Sequence, residues 1–190
     1  MNEEQALLEV KKALKTRRYE HTVRVRDEAQ KLANQYHVNI EKARVAAILH
    51  DYAKYRSVEE MKQTIKDEKL DKRLLFYGNE ILHAFVGATY VQKELGVDDE
   101  EIISAIRYHT TGRAQMTDIE KVVFLADYIE PGRTFRGVEE VREKAYKDLD
   151  HACFLALRNT VQFLVGVEKS IYPDTFEAYN DFAQKIKGGK

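Results

Sequence analysis

The sequence has little of several residue types, and each scarcity excludes something. It contains one cysteine, Cys153, so no internal disulfide can form and a reducing cytoplasm is the expected location. It has only two prolines and nine glycines, which leaves room for long helices. No apolar run approaches the roughly 20 residues that cross a bilayer. The first residues also lack the apolar core of a secretory signal, so we expect no membrane association.

Neither sign of charge dominates the chain. Lysine and arginine number 31 against 32 acidic residues, for a net charge of -1. That balance argues against a general nucleic-acid-binding protein, while it permits a local basic pocket. A length of 190 residues with 44% hydrophobic and 33% charged residues is typical of one globular domain. We expect one domain over residues 1–190, with a core at about 17–130 and C-terminal helices at 138–187 packed on it.

Helical periodicity runs through nearly the whole chain. Residues 18–36 place His21 on the apolar stripe of a helix. Asn39 and Thr117 are suited to begin helices, and Gly96 is suited to end one. Since no alternating strand pattern exceeds a few residues, the predicted fold class is all-α. Helices are predicted over residues 3–16, 18–36, 40–54, 79–95, 98–109, 118–130, 138–148 and 150–168, after Ser57 and from about 174, with a frayed end at 188–190.

Histidine and aspartate occur where these helices should be buried. The pair His50-Asp51 ends the apolar run 43–49, and Asp127 ends the run 122–126. A buried polar group without a partner costs about 2–7 kcal/mol, so metal binding or pairing is expected. Imidazole and carboxylate ligands without thiolate favour iron, manganese or zinc. The predicted ligands are His21, His50, Asp51 and Asp127, with His83 and His109 for a second ion that Asp51 would bridge.

The order of these six residues resembles that of the HD-domain metal-dependent phosphohydrolases. Four segments, 19–22, 47–54, 108–112 and 125–133, look like those of the YqeK family of bacterial symmetrical diadenosine tetraphosphate hydrolases. The resemblance covers residues 10–175. It implies an HD-domain helical bundle and a centre of two metal ions, with iron as the first candidate and manganese or zinc as alternatives. It also implies cleavage of diadenosine tetraphosphate into two ADP.

Cations and hydroxyl groups beside the ligands are the predicted substrate contacts. Lys54 follows His50 by one helical turn, and Arg133 follows the turn that leaves Asp127. Arginine suits bidentate phosphate binding. The predicted catalytic residues are Asp51, Lys54 and Arg133. The predicted substrate-binding residues are Lys54, Thr110, Thr111, Gly112, Arg133, Arg136 and Tyr172.

Two other functions remain compatible with the sequence. An HD-type nucleotidase, acting on nucleoside mono- or triphosphates such as dNTPs, would use the same ligands. A non-catalytic nucleotide-sensing module would tolerate a degenerate site, and the retention of all six ligands argues against it. The sequence leaves the native metal and the oligomeric state open, with a homodimer as one option. The expected partner is a dinucleoside polyphosphate or a nucleotide.

Overall fold

The computed structural model describes residues 1–188, and these are helical almost throughout. Within that range there are ten α-helices, one short 3₁₀-helix and no strand, which confirms the all-α prediction. The α-helices are α1 Glu3–Ala13, α2 Thr16–Gln35, α3 Ile40–Leu49, α4 Val58–Asp67, α5 Asn79–Leu95, α6 Glu100–Tyr108, α7 Asp118–Ile129, α8 Val138–Ala145, α9 Leu149–Gly166 and α10 Pro173–Gly188. The end predicted to fray lies, from residue 189 onwards, outside the described residues.

Several helices begin and end at the predicted caps. The side chain of Asn39 accepts a hydrogen bond from a backbone N–H in the first turn of α3, and Ser57 does the same for α4. Thr117 and Glu120 form a complete capping box at α7. Gly96 ends α5 with a left-handed φ of 66°, a conformation that glycine adopts without a steric cost.

The predicted helix over residues 40–54 is wrong at its C-terminal end, because α3 stops at Leu49. The chain continues in tight turns, and the N–H of Lys54 donates to the backbone oxygen of Asp51 at 2.8 Å. The cause is local. Nδ1 of His50 lies 2.6 Å from the backbone oxygen of Ala47, so the side chain takes the acceptor that the next helical N–H would use.

Other predicted boundaries differ from the observed ones by no more than three residues. The 3₁₀-helix Lys72–Phe76 was not predicted. It is held by Asp71, whose carboxylate accepts from the N–H of Arg73 at 2.8 Å. A single short turn of this kind carries no apolar periodicity, so the sequence pattern does not reveal it.

The helices pack around one continuous hydrophobic cluster, which extends from Ala6 in α1 to Phe182 in α10. Helix α2 packs on α3 and α7, and α6 packs on α3, α5 and α7. At the C-terminal end, α8 and α9 pack on α7, and α10 packs on α9. This arrangement brings together the five helices that carry or precede the predicted ligands. In residues 1–188 no helix has both the length and the apolar character that a membrane crossing requires.

Candidate metal centre

The structure brings all six predicted ligands together in the interior. Two of them, His50 and His109, lie directly after the last residues of α3 and α6. Because the C-terminal end of a helix carries partial negative charge, both positions favour a nearby cation. Asp127 lies in the last turns of α7, and 20% of its side chain is exposed, more than for any other predicted ligand. The centre therefore opens to solvent beside Asp127.

Three imidazole rings are fixed through Nδ1 by the backbone of their own helix. The contacts are His50 with Ala47, His83 with Asn79 and His109 with Ile106, at 2.6, 2.7 and 2.7 Å. A carbonyl oxygen only accepts hydrogen bonds, so Nδ1 carries the proton in each ring. In the neutral form of each ring, the Nε2 atom then keeps its lone pair. This is the tautomer that ligates a metal through Nε2.

The Nε2 atoms face each other in the interior. Nε2 of His83 lies 3.1 Å from Nε2 of His109. When both rings are neutral, two lone pairs face each other at this distance, and a cation would relieve their repulsion. Nε2 atoms of His21 and His50 are buried and have no hydrogen-bond partner within residues 1–188. An unsatisfied buried polar group costs about 1–3 kcal/mol. These orphaned nitrogens therefore fit a metal-binding role.

The ligand atoms form two overlapping groups, in each of which all atoms lie within 4.8 Å of one another. The groups are His21, His50 and Asp127, and His50, Asp51 and His109. The two oxygens of Asp51 face different rings. Oδ1 lies 3.1 Å from Nε2 of His83, and Oδ2 lies 3.3 Å from Nε2 of His50. Asp51 therefore has the placement expected of a bridging carboxylate.

The charges of the centre suit a cation. Burial by itself raises the pKa of Asp51, but the neighbouring His50 and His83 outweigh it and hold that pKa well below the usual range. For Asp127, burial is outweighed by His21 and Arg133, and its pKa is also held well below the usual range. Both carboxylates are therefore ionised at neutral pH. Burial, together with the neighbouring histidines, lowers the pKa of His109, which favours the neutral ring that a metal needs.

Three cationic side chains stand at the open side of the centre. Nη2 of Arg133 lies 2.5 Å from Oδ1 of Asp127, and Nζ of Lys54 lies 3.9 Å from Oδ1 of Asp51. Arg18 donates from Nη1 to Oδ2 of Asp51 at 2.9 Å. Between 23% and 32% of each cationic side chain is exposed, so all three reach both the ligands and solvent.

Arg18 and Glu130 are neighbours of the centre that the sequence analysis missed. Glu130 is buried, and its Oε1 lies 3.1 Å from Nδ1 of His21. Its Oε2 accepts from Nε of Arg24 and from the N–H of Gly132, both at 2.6 Å. Glu130 thus orients the ring of His21 through Nδ1 and leaves Nε2 for the metal centre. Arg18 had a signal in the sequence, because it precedes His21 by three residues and so shares its side of α2.

The remaining predicted substrate contacts lie in varied surroundings. Thr111 is fully buried, and its hydroxyl donates to the backbone oxygen of Gly112, which is also buried. Tyr172 is 1% exposed and packs against two aromatic rings at 5.1 and 5.2 Å. Thr110 is partly exposed and Arg136 is exposed. The metal centre contacts described above involve none of these residues, and their role in substrate binding stays a prediction.

Comparison with known proteins gives consistent matches. The model of the family described as HD domain matches residues 18–132. A Bacillus subtilis (strain 168) protein described as a symmetrical bis(5'-nucleosyl)-tetraphosphatase is 51% identical, over 95% of this chain and 97% of its own length. A Staphylococcus aureus (strain NCTC 8325 / PS 47) protein with the same description is 43% identical, over 98% and 99%. A crystal structure from Clostridium acetobutylicum, described as a predicted HD superfamily hydrolase involved in NAD metabolism, matches with a TM-score of 0.91 and 35% identity, over 96% and 97%.

Proposed function

Because this chain belongs to the HD-domain family, with symmetrical bis(5'-nucleosyl)-tetraphosphatases as full-length relatives, we propose that it hydrolyses diadenosine tetraphosphate symmetrically into two ADP. One observation carries the proposal. Four imidazoles present Nε2 atoms to the ionised Asp51 and Asp127 in the interior, and two of these nitrogens have no hydrogen-bond partner within residues 1–188. Such a donor set suits transition-metal ions and the chemistry of phosphoryl transfer.

We infer that the centre would hold two metal ions, and that Asp51 would contribute to both positions. His21, His50 and Asp127 would hold one ion, and His83 and His109 would complete the second position. Iron is the first candidate, with manganese or zinc as alternatives. When bound, such a pair supplies an activated water and positive charge on the phosphate under attack.

The cationic side chains of the protein act on the phosphate chain. The tetraphosphate carries about four negative charges, and arginine binds phosphate oxygens in a bidentate manner. Arg133 already stands at Oδ1 of Asp127, so its guanidinium is close to any phosphate held there. Lys54 lies on the other carboxylate, Asp51, and 3.3 Å from Nε2 of His83. Together they offset charge on the attacked and the departing phosphates.

In the proposed reaction, water attacks an inner phosphorus and the central bridging P–O bond breaks. The bridging oxygen leaves as part of one ADP, and the oxygen of the water enters the other ADP. ADP is a stable leaving group that needs little protonation, so fixed charges rather than a general acid carry most of the catalysis. Asp51, Lys54 and Arg133 are therefore the proposed catalytic residues.

Hydrolysis in oxygen-18 water tests this reaction. Initial products are separated and weighed by mass spectrometry, and one of the two ADP molecules from each turnover is expected to carry the label. ATP and AMP as initial products would contradict symmetrical cleavage. A dNTP turned over far faster than diadenosine tetraphosphate would instead favour the nucleotidase alternative, which shares the ligand set.

Metal analysis separates an enzyme from a nucleotide-sensing module. Protein purified without oxygen is expected to hold close to two transition-metal ions per chain. An Asp51→Ala variant should lose metal and activity together, because the two oxygens of Asp51 face Nε2 of His50 and Nε2 of His83. Full activity of that variant would overturn the assignment.

We further propose that residues 1–190 form one HD domain whose partner is a dinucleotide or nucleotide rather than a nucleic acid or a membrane. A cytoplasmic location and a homodimer also remain proposals. Cell fractionation and light scattering of the purified protein test them.

A further inference from the structure

The proposed metal ligands and the proposed phosphate contacts of Lys54 and Arg133 leave Arg18 without a role. Its Nη1 donates to Oδ2 of Asp51 at 2.9 Å, and within residues 1–188 its side chain makes no other hydrogen bond. A guanidinium has five N–H groups in a fixed fork. Most of the N–H groups of Arg18 therefore have no acceptor in the protein within residues 1–188. The side chain is 28% exposed.

The one acceptor that Arg18 uses is itself a metal-ligand candidate. Oδ2 of Asp51 lies 3.3 Å from Nε2 of His50 and 3.8 Å from Nε2 of His21. An ion bound by these rings would use the same carboxylate oxygen. The ion would then neutralise part of the negative charge that attracts Arg18. The guanidinium would therefore be able to bind a further anion at the open side of the centre.

Arg18 acts on the same space as the two predicted cations. Nζ of Lys54 lies 3.9 Å from Oδ1 of Asp51, and Arg18 donates to the other oxygen of the same carboxylate. Arg133 contacts a different carboxylate, that of Asp127. The two guanidinium groups therefore stand on different predicted ligands.

We propose that Arg18 binds a substrate phosphate, and that it serves the ADP half opposite to the half held by Arg133. A symmetrical tetraphosphate presents two chemically equal halves, and two guanidinium groups on different ligands match that arrangement. The identity of the substrate rests on the proposed function, whereas the phosphate contact does not. Arg18 would be a third cationic contact beside Lys54 and Arg133.

The test compares Arg18→Gln and Arg18→Lys with the matched control Arg17→Gln. Arg17 is the exposed neighbour on α2 and makes no side-chain hydrogen bond or ion pair within residues 1–188. Three quantities are measured on metal-loaded protein: metal content, kcat/KM for diadenosine tetraphosphate, and the equilibrium dissociation constant of ADP by calorimetry. Arg18→Gln should keep its metal, lose about tenfold or more in kcat/KM and bind ADP more weakly by a similar factor. Arg18→Lys should fall between, since it keeps the charge without the fork. Arg17→Gln should stay within about twofold of the wild type.

Two results would overturn the phosphate contact. Loss of metal from Arg18→Gln and Arg18→Lys would mean that Arg18 only positions Asp51. Unchanged affinity for ADP together with unchanged kcat/KM in a metal-loaded Arg18→Gln protein would mean that Arg18 touches no phosphate. If the wild type fails to make ADP from diadenosine tetraphosphate, the proposed function fails, but ADP binding still tests Arg18.

The assignment to opposite halves is tested by combining Arg18→Gln with Arg133→Gln. Separate halves predict that the fold-losses in kcat/KM multiply in the double variant. If the double variant loses no more kcat/KM than the more impaired single variant, both arginines act on one phosphate, and this part of the proposal is overturned.

Discussion

Glu130 orients His21 in the way that a carboxylate often orients a metal-binding imidazole. Oε1 of Glu130 lies 3.1 Å from Nδ1 of His21, which leaves Nε2 facing Asp127 at 3.1 Å. Arg24 and the backbone of Gly132 hold the other carboxylate oxygen in place. Such supporting groups fix the tautomer and raise the basicity of the ligand.

Glu130→Gln should therefore weaken metal binding while the fold is kept. The amide preserves the shape of the side chain but removes the charge that supports His21, and we expect the metal dissociation constant to rise by about 10- to 100-fold. Competition with a chelator of known affinity measures this change. Glu143→Gln, at an exposed position on α8, is the matched control and should bind metal as the wild type does. Equal affinity in both variants would exclude the orienting role.

Arg133→Ala tests the predicted phosphate clamp. Nε of Arg133 donates to the backbone oxygen of Asp127 at 3.0 Å, so the guanidinium is fixed beside the open side of the centre. Its loss should weaken transition-state stabilisation by roughly 1.5–3 kcal/mol, the usual value of a charge-assisted hydrogen bond. Steady-state kcat/KM and metal content are measured together, and metal content should not change. Arg17→Ala serves as the comparison, because Arg17 is exposed and makes no side-chain hydrogen bond or ion pair within residues 1–188. An unaffected kcat/KM in Arg133→Ala would show that Arg133 is a surface charge with no role in catalysis.

At the level of the helix, the ends of α3 and α6 are parts of the metal centre. His50 and His109 each turn Nδ1 back to a carbonyl oxygen three residues earlier. This contact satisfies a carbonyl at the helix end and fixes the ring at the same time. The same histidine thus ends its helix and presents Nε2 to the centre.

The sequence predicted the helices better than it predicted the helix ends, and the structure places the predicted ligands close together. Apolar periodicity decides where a helix is buried, and His21 was correctly placed on a buried stripe. The end of α3 at Leu49 depends on a side chain that competes with the backbone, a contact that periodicity does not contain. Glu130 acts through a contact between distant parts of the chain, and no local pattern reports it, whereas Arg18 shares the side of α2 that carries His21.

Gly112 is needed by the turn that follows α6, and Gly112→Ala should show it. Its φ is +63°, and a Cβ there would lie 3.3 Å from Cβ of Ala178 and from Sδ of Met116. Gly96 has a similar φ of +66° with nothing within 4 Å, so Gly96→Ala isolates the cost of the backbone conformation. That cost is about 1–2 kcal/mol, and crowding adds about 1–3 kcal/mol at Gly112 alone. Urea unfolding at equal metal loading should therefore give the larger loss for Gly112→Ala. Equal losses would show that the neighbours yield without cost.

At the level of the whole molecule, the charges nearly balance, whereas positive side chains are concentrated at the metal centre. The chain has a net charge of -1, yet three cations stand around two carboxylates at the open side of the centre. A near-neutral surface gives little long-range attraction for nucleic acid. The attraction for a polyphosphate would then arise at short range, from the cations and the bound metal. Binding of such a substrate should consequently need an occupied centre.

The metal should also stabilise the whole fold. Its proposed ligands lie between residues 21 and 127, on or directly after five different helices, so a bound ion would link these helices. A ligand that binds only the folded state adds about 2.7 kcal/mol when its free concentration is 100 times its dissociation constant. Chelation should therefore lower Tm in scanning calorimetry, and added ion should restore it. His50→Ala should abolish this difference, since His50 belongs to both groups of close ligand atoms. His151→Ala, which changes a histidine outside both groups, should keep it. If chelation left Tm unchanged in the wild type, the four convergent imidazoles would contribute nothing to the folded state through metal, and the buried unpaired nitrogens of His21 and His50 would need another partner.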